Sequence, residues 1–327
     1  MRRQGIPGTT VCLTELGFGG AVIGNLYRAS TEDEAAAAVD AAWDAGIGYF
    51  DTAPHYGLGL SERRLGQALR HRPRDEYVVS SKVGRLLVPN EHPTGRDADI
   101  FAVPDDLRRQ RDYLRDGVRR SLADTLERMG LDRIDVVYVH DPDEHWTQAA
   151  DEAMPALAEL RDAGVVGAIG AGMNSTTLLT RFLRETAADL VMVAGRYTLL
   201  DQSALDDVLP AATETGKGVV AVGVFNSGLL AQPWPVPGAT YDYAPASAEL
   251  LDRARRIADV CSRHGTTLPA AAVAFPLAHP NVVNVTLGMR TAAEVAENLA
   301  LHADPPPAAL WTDLQAAGLL RPDAPIP

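Results

Sequence analysis

The chain has 327 residues, 46% of them hydrophobic, enough for a sizeable core and a usual length for one α/β barrel. Its formal net charge of −13 excludes general affinity for nucleic acid, whose phosphates would meet a repulsive average field. No run approaches the ~18 apolar residues of a membrane helix, and the two cysteines, Cys12 and Cys261, are too few for a disulfide framework or a zinc knuckle.

The start MRRQGIPGTT carries charge without an apolar run behind it, so it does not read as a signal peptide, and a cytoplasmic protein is expected. The first β-rich run is 13–18 (LTELGF), and the Gly-rich string Gly17-Phe18-Gly19-Gly20 at its end lacks the GxGxxG spacing of a dinucleotide turn. Thr31-Glu32-Asp33-Glu34 is a capping box that opens an Ala-rich helix ending near Gly46. A second run, 47–51, ends on Asp51; the loop after it presents Tyr56, and Ser61 is expected to start the helix of ERRLGQALR. The third run, 77–82, ends on Lys82 and leads into a polar, Pro-bearing loop, 86–112. The fourth, 134–140, ends on His140, and Asp151 precedes a helix closing on Gly164.

Further runs at 165–170, 190–194, 219–225 and 283–287 alternate with helices opened by Asn174-Ser175, Ser203 and Ser247 and with an amphipathic 291–302 stretch. A Pro- and aromatic-rich loop, 231–248, follows the seventh run. Near-continuous apolar strands suit a parallel sheet covered on both faces. Eight of them alternating with helices predict a single (β/α)8 TIM-barrel domain over 1–327, with long loops after strands 3 and 7.

In a barrel, strand ends form the functional face. Three consecutive strands therefore bring Asp51, Lys82 and His140 to one rim, with Tyr56 between the first two. Lys82 and Lys217 are the only lysines in a chain that otherwise uses arginine, which suggests that a compact ammonium is needed at the rim. A free tyrosine has a pKa of about 10; a neighbouring ammonium favours its phenolate, a carboxylate pairs the ammonium, and an imidazole positions a substrate oxygen. This set moves a proton while a nicotinamide moves a hydride. Metal catalysis is the competing reading, but His55, His140 and Asp141 make a poor ligand set and no metal is expected.

FDTAPHYG, the Lys ending YVVSSK, VVYVHDPD, IGAGMN and GMRTAAEVAEN fall in an order that resembles the aldo-keto reductase superfamily over roughly 11–301. The resemblance implies a nicotinamide cofactor bound without a Rossmann domain and a tetrad at Asp51, Tyr56, Lys82 and His140. DTAPHYGLGLSERRLG, GRYTLLDQ and VFNSGLL look like its aldose 1-dehydrogenase branch, which acts on L-fucose, D-arabinose and L-galactose and includes pyridoxal 4-dehydrogenase. The implied reaction oxidises a hemiacetal carbon to a lactone. Pyridoxal oxidation, general carbonyl reduction and a non-catalytic regulatory subunit are the alternatives. The same likeness implies cofactor contacts at Gly19, Gly172, Asn174, Phe225, Gly288, Arg290, Glu294, Glu297 and Asn298. Ala194 stands where many members have Gln. Glu294 stands where NADP users often have Arg, so NAD is favoured, with NADP still open through Arg290. Candidate substrate residues are Asn25, Tyr27, His55 and Trp234 beside His140. The expected partner is a sugar or pyridoxal-like small molecule, and nothing in the sequence speaks to oligomeric state.

Overall fold

A computed structural model describes residues 1–327. Eight parallel strands close a barrel in chain order: β1 (Leu16–Gly19), β2 (Tyr49–Asp51), β3 (Val78–Val83), β4 (Val136–His140), β5 (Ala168–Met173), β6 (Leu190–Ala194), β7 (Gly218–Val222) and β8 (Val282–Gly288), which pairs back onto β1. The helices are α1 (Glu32–Asp44), α2 (Leu60–Leu69), α3 (Arg115–Met129), α4 (Met154–Asp162), α5 (Thr176–Glu185), α6 (Val208–Thr215), α7 (Ala248–Arg263), α8 (Leu268–Ala274), α9 (Ala292–Ala303) and α10 (Ala308–Ala316). No helix is long and apolar enough to cross a membrane.

The strands are short because each needs only to bridge two covered faces, and β4 (VVYVH) is buried at every position. One large apolar cluster fills the space between barrel and helices; a smaller one, including Tyr49, Val136, Tyr138, Leu190 and Met192, fills the lumen. An N-terminal hairpin, Arg3–Gly5 with Cys12–Thr14, plugs the lumen from the bottom with Ile6, Val11 and Leu13. The only open end is therefore the C-terminal rim.

The expected capping box is present: Thr31 Oγ1 accepts from Glu34 N at 3.1 Å, and Glu34 Oε2 accepts from Thr31 N at 2.8 Å. Ser175 and Ser247 also cap their helices as expected. Other boundaries differ. The run 13–18 is divided between the plug hairpin and β1, because Glu15 separates two short apolar pieces that belong to different sheets. Ser61 lies inside α2, where its hydroxyl donates to Gly20 O at 2.7 Å instead of capping. Helix formation before α4 begins at Trp146 and passes through a π turn at Ala149–Ala153, upstream of Asp151. Ser203 opens only a 3-10 turn, and Asp207 caps α6. β5 starts later than expected, at Ala168, and β7 ends at Val222, where Gly223 turns at φ +66. The 86–112 loop carries an antiparallel ribbon, Arg85–Pro89 with Leu107–Arg111. Its arginine-rich strand shows no apolar alternation because a ribbon standing above the rim needs no fully buried face.

Gly66 sits mid-helix for a packing reason. A Cβ there would lie 2.1 Å from Met129 O, so α2 rests on the end of α3 backbone to backbone. Gly66→Ala should therefore destabilise by about 1–3 kcal/mol through overpacking, although the same change in an exposed helix stabilises by about 1 kcal/mol. Urea unfolding of the variant checks the sign.

Candidate active site

Strand period sets the site. Side chains two apart share a face, so Tyr49 and Asp51 on β2, Ser80 and Lys82 on β3, and Tyr138 and His140 on β4 all point into the lumen. The register pairs Asp51 with Ser80 and Lys82 with Tyr138, so the inward side chains climb the barrel wall in staggered steps that end on His140. Lys82 Nζ donates to Asp51 Oδ2 at 2.7 Å and Oδ1 at 2.9 Å, to Thr52 O at 3.0 Å and to Tyr56 Oη at 3.0 Å. The ion pair is almost wholly buried, with Lys82 2% and Asp51 4% exposed.

Below it runs a chain that sequence reading missed. Ser80 Oγ donates to Asp51 Oδ1 at 2.7 Å, which leaves Tyr49 Oη as donor to Ser80 Oγ at 2.8 Å and Tyr138 Oη as donor to Tyr49 Oη at 3.3 Å. Every hydrogen in the chain points toward the carboxylate, which a buried charge requires. Burial and the nearby Asp51 hold both phenols well above the ordinary tyrosine range. The signal was available in the sequence: each of these residues lies two positions before a rim residue or is its register neighbour.

Tyr56 reaches Lys82 from the loop after β2. Gly57 beside it is at φ +62, and a Cβ there would lie 2.2 Å from Gly24 O, so the turn presenting Tyr56 requires glycine. Burial pushes the Tyr56 phenol up and Lys82 pulls it down; burial wins, so the phenol of the free protein stays protonated beyond the usual range. This differs from the simple expectation that the ammonium leaves a phenolate. Burial also works against the Lys82 ammonium, but Asp51 and Tyr56 outweigh it and its pKa ends above the ordinary value.

The two imidazoles are neutral. Burial and then Arg85 push His140 well below the usual histidine range, and burial with Arg85 and Arg109 pushes His55 down to about 2. Their rings meet edge to face with centroids 5.6 Å apart. His140 Nε2 lies 3.5 Å from Asp141 Oδ2, while its Nδ1 has no partner. His55 packs edge to face on Phe101, and its carbonyl accepts from Arg109 Nη2 at 2.9 Å.

Leu26, Ile100, Phe101, Asp141 and Tyr243 complete the pocket around these residues. Leu26 and Phe101 are joined by an isolated β-bridge, so the wall is one piece made from two loops. Asn25 does not face this pocket. Its Oδ1 accepts from Ser30 N (3.0 Å) and Arg64 Nη1 (2.9 Å), and its Nδ2 donates to Ala102 O (3.2 Å), so it is the fastener of that wall. Trp234 is half exposed and lines no part of the pocket. Tyr27 is also half exposed and lies on the adjoining groove.

That groove continues from the pocket past Asn174, Ala194, Gly223, Phe225 and Gly288 to Glu294, Glu297 and Asn298 at α9. Gly19 and Gly172 line its inner end. A Cβ at Gly288 would intrude 3.2 Å from Val22 Cγ1, so the bare backbone keeps the channel open. Ala292 and Ala293 at the start of α9 offer backbone N–H groups to an anion, since the Thr291 side chain takes only Glu294 N. A long channel with an aromatic ring, an amide and a helix N-terminus fits an extended dinucleotide. Arg290 has a different position from the one expected. Its guanidinium donates to Val22 O, Arg28 O and Leu26 O at 3.1, 2.9 and 2.7 Å, so it is committed to the loop after β1. Glu294 Oε2 accepts from Arg290 N at 2.7 Å, and its Oε1 is 3.9 Å from Arg28.

The model of the Aldo/keto reductase family matches residues 15–316. The chain belongs to the aldo/keto reductase family. Among its relatives, D-threo-aldose 1-dehydrogenase of a Pseudomonas species is 52% identical over 95% of both chains. Pyridoxal 4-dehydrogenase of Microbacterium luteolum is 38% identical over 98% of this chain and 97% of that one. The holo structure of an aldo-keto reductase from Bacillus halodurans superposes with a TM-score of 0.76 at 25% identity, covering 97% of this chain and 96% of that one. This aldo/keto reductase is thus an NAD(P)-dependent oxidoreductase.

In the cofactor-free protein the Tyr56 phenol should not ionise below the ordinary value of about 10, given the upward shift from burial. A difference titration of phenolate absorbance, wild type against Tyr56→Phe, checks this. A difference appearing near neutral pH would show that Lys82 dominates instead.

Proposed function

We propose that this aldo/keto reductase oxidises the hemiacetal carbon of a cyclic aldose, of the L-fucose, D-arabinose or L-galactose type, to the lactone. The observation carrying the reading is the single ammonium of Lys82, which bridges the buried Asp51 carboxylate and the Tyr56 hydroxyl at the closed end of the pocket. The 52% identity to a D-threo-aldose 1-dehydrogenase supports the substrate class.

In this reading the Tyr56 phenol first loses its own proton to solvent, which its raised pKa places at alkaline pH, and the phenolate then takes the proton of the substrate's anomeric hydroxyl. Lys82 lowers the cost of the phenolate by donating to its oxygen, and Asp51 keeps Lys82 aimed. His140, neutral over the working range, donates its Nε2 hydrogen to the same substrate oxygen and fixes its position. Asn174, Phe225, Gly288 and the α9 N-terminus would hold the nicotinamide cofactor, which would supply the hydride acceptor. The substrate's ring oxygen stabilises charge on the carbon that loses hydride, which suits oxidation. NAD is favoured over NADP, because the Glu294 carboxylate stands at the α9 end of the groove and Arg290 is bound to carbonyls.

Pyridoxal, which also closes to a hemiacetal, is the second reading. The Phe101 and Tyr243 rings in the pocket favour it, as does the 38% identity to a pyridoxal 4-dehydrogenase. A panel of the three sugars, pyridoxal and simple aldehydes, run with NAD and NADP, separates the readings. Reduced nicotinamide should form from an aldose with NAD; turnover of pyridoxal alone would select the second reading, and turnover only of aldehydes with NADPH would reject both. Tyr56→Phe should lose about 10²–10⁴-fold in turnover and keep cofactor binding by fluorescence quenching. Glu294→Gln, which keeps an acceptor for Arg290 N, and Glu294→Arg should both raise the NADP:NAD ratio of kcat/KM. An unchanged ratio in both would remove Glu294 from cofactor choice.

A further inference from the structure

Asp141 follows His140 directly, and strand alternation should turn its side chain out of the lumen. Instead its backbone is at φ +42, a region where a non-glycine residue persists only when its surroundings hold it. Those surroundings are explicit. The Asp141 carbonyl accepts from Arg111 Nη1 at 2.8 Å and Tyr113 Oη at 2.9 Å, and its N–H donates to Gly172 O at 3.1 Å. The result is a carboxylate that lines the same cavity as Tyr56 and His140.

The two carboxylate oxygens are not equivalent. Oδ2 pairs with Arg85, from the ribbon over the rim, and lies 3.5 Å from His140 Nε2. Oδ1 has no hydrogen-bond partner in the protein, and 32% of the side chain remains accessible. A carboxylate can only accept. Of the two oxygens nearest the anomeric hydroxyl of a cyclic aldose, the ring oxygen carries no hydrogen and the hydroxyl on the neighbouring carbon does. A carboxylate beside the nitrogen that holds the anomeric oxygen therefore attracts the second and repels the first. We propose that Asp141 is a specificity-determining residue that accepts a hydrogen bond from the C2 hydroxyl of the aldose, held in place by Arg85 and by the strained turn. The assignment rests on the reading of the protein as an aldose dehydrogenase.

The test crosses enzyme variants with substrates. The wild type and Asp141→Gly, which removes the carboxylate and tolerates the positive φ, are compared on the preferred aldose and on its 2-deoxy analogue. With the aldose, the variant's kcat/KM should fall about 10–100-fold, the range for losing a hydrogen bond to a charged group. With the 2-deoxy sugar it should stay roughly unchanged. Asp141→Asn, whose residue also accepts left-handed geometry, should narrow the same discrimination and serves if the glycine variant is unstable. Equal losses on both substrates, or no loss on either, overturn the assignment while leaving aldose oxidation standing. A wild type that oxidises pyridoxal and no aldose overturns both, and the wild-type measurement alone identifies that case.

Discussion

Everything at the rim depends on one ion pair buried inside the barrel. Lys82 and Asp51 are out of water, and two charges in that position are tolerable only when their remaining valences are met. Here they are: Thr52 O and Tyr56 Oη complete the ammonium, and Ser80 completes the carboxylate. Removing one member of such a pair strands the other and costs about 3–5 kcal/mol. The lumen below is therefore not apolar filling alone. Tyr49 and Tyr138 deliver hydrogens upward from the level where a barrel would usually hold aliphatic side chains.

The pair also decides where reactivity can appear. Its positive end emerges at one point, the Tyr56 oxygen, and the adjacent imidazoles are kept uncharged by burial and by the arginines of the ribbon. A phenol, a neutral N–H and a carboxylate thus meet at the closed end of a pocket whose outer wall is carbon. One hydrophilic corner in an apolar pocket binds a substrate by one end and leaves the rest to be sorted by shape.

The parts of this arrangement legible in the sequence follow from periodicity. Apolar runs ending in Asp51, Lys82 and His140 announced a barrel and a rim, because a parallel strand covered on both faces must be apolar until it reaches solvent. Ser80, Tyr49 and Tyr138 were readable by the same period but carry residue types that also suit plain core positions. Asn25 and Arg290 were misplaced for a different reason. Each is a polar residue in a loop, and whether it faces a ligand or ties backbone depends on which carbonyls a distant loop brings near. Local sequence does not state that. The ribbon at Arg85–Pro89 and Leu107–Arg111 was hidden likewise, since its arginine-rich strand has no fully buried position and so leaves no apolar alternation behind.

Arg290 and Asn25 fasten opposite sides of one short loop. Arg290 grips the carbonyls of Val22, Leu26 and Arg28 from the cofactor side, while Asn25 ties the loop to Ala102 on the substrate side. The loop is thus a party wall between two rooms. Its backbone cannot be remodelled to admit a bulkier sugar without disturbing the neighbouring chamber. Divergence toward new substrates in this architecture is channelled into side chains rather than backbone, because even the segment carrying Ile100 and Phe101 is stitched to the same loop.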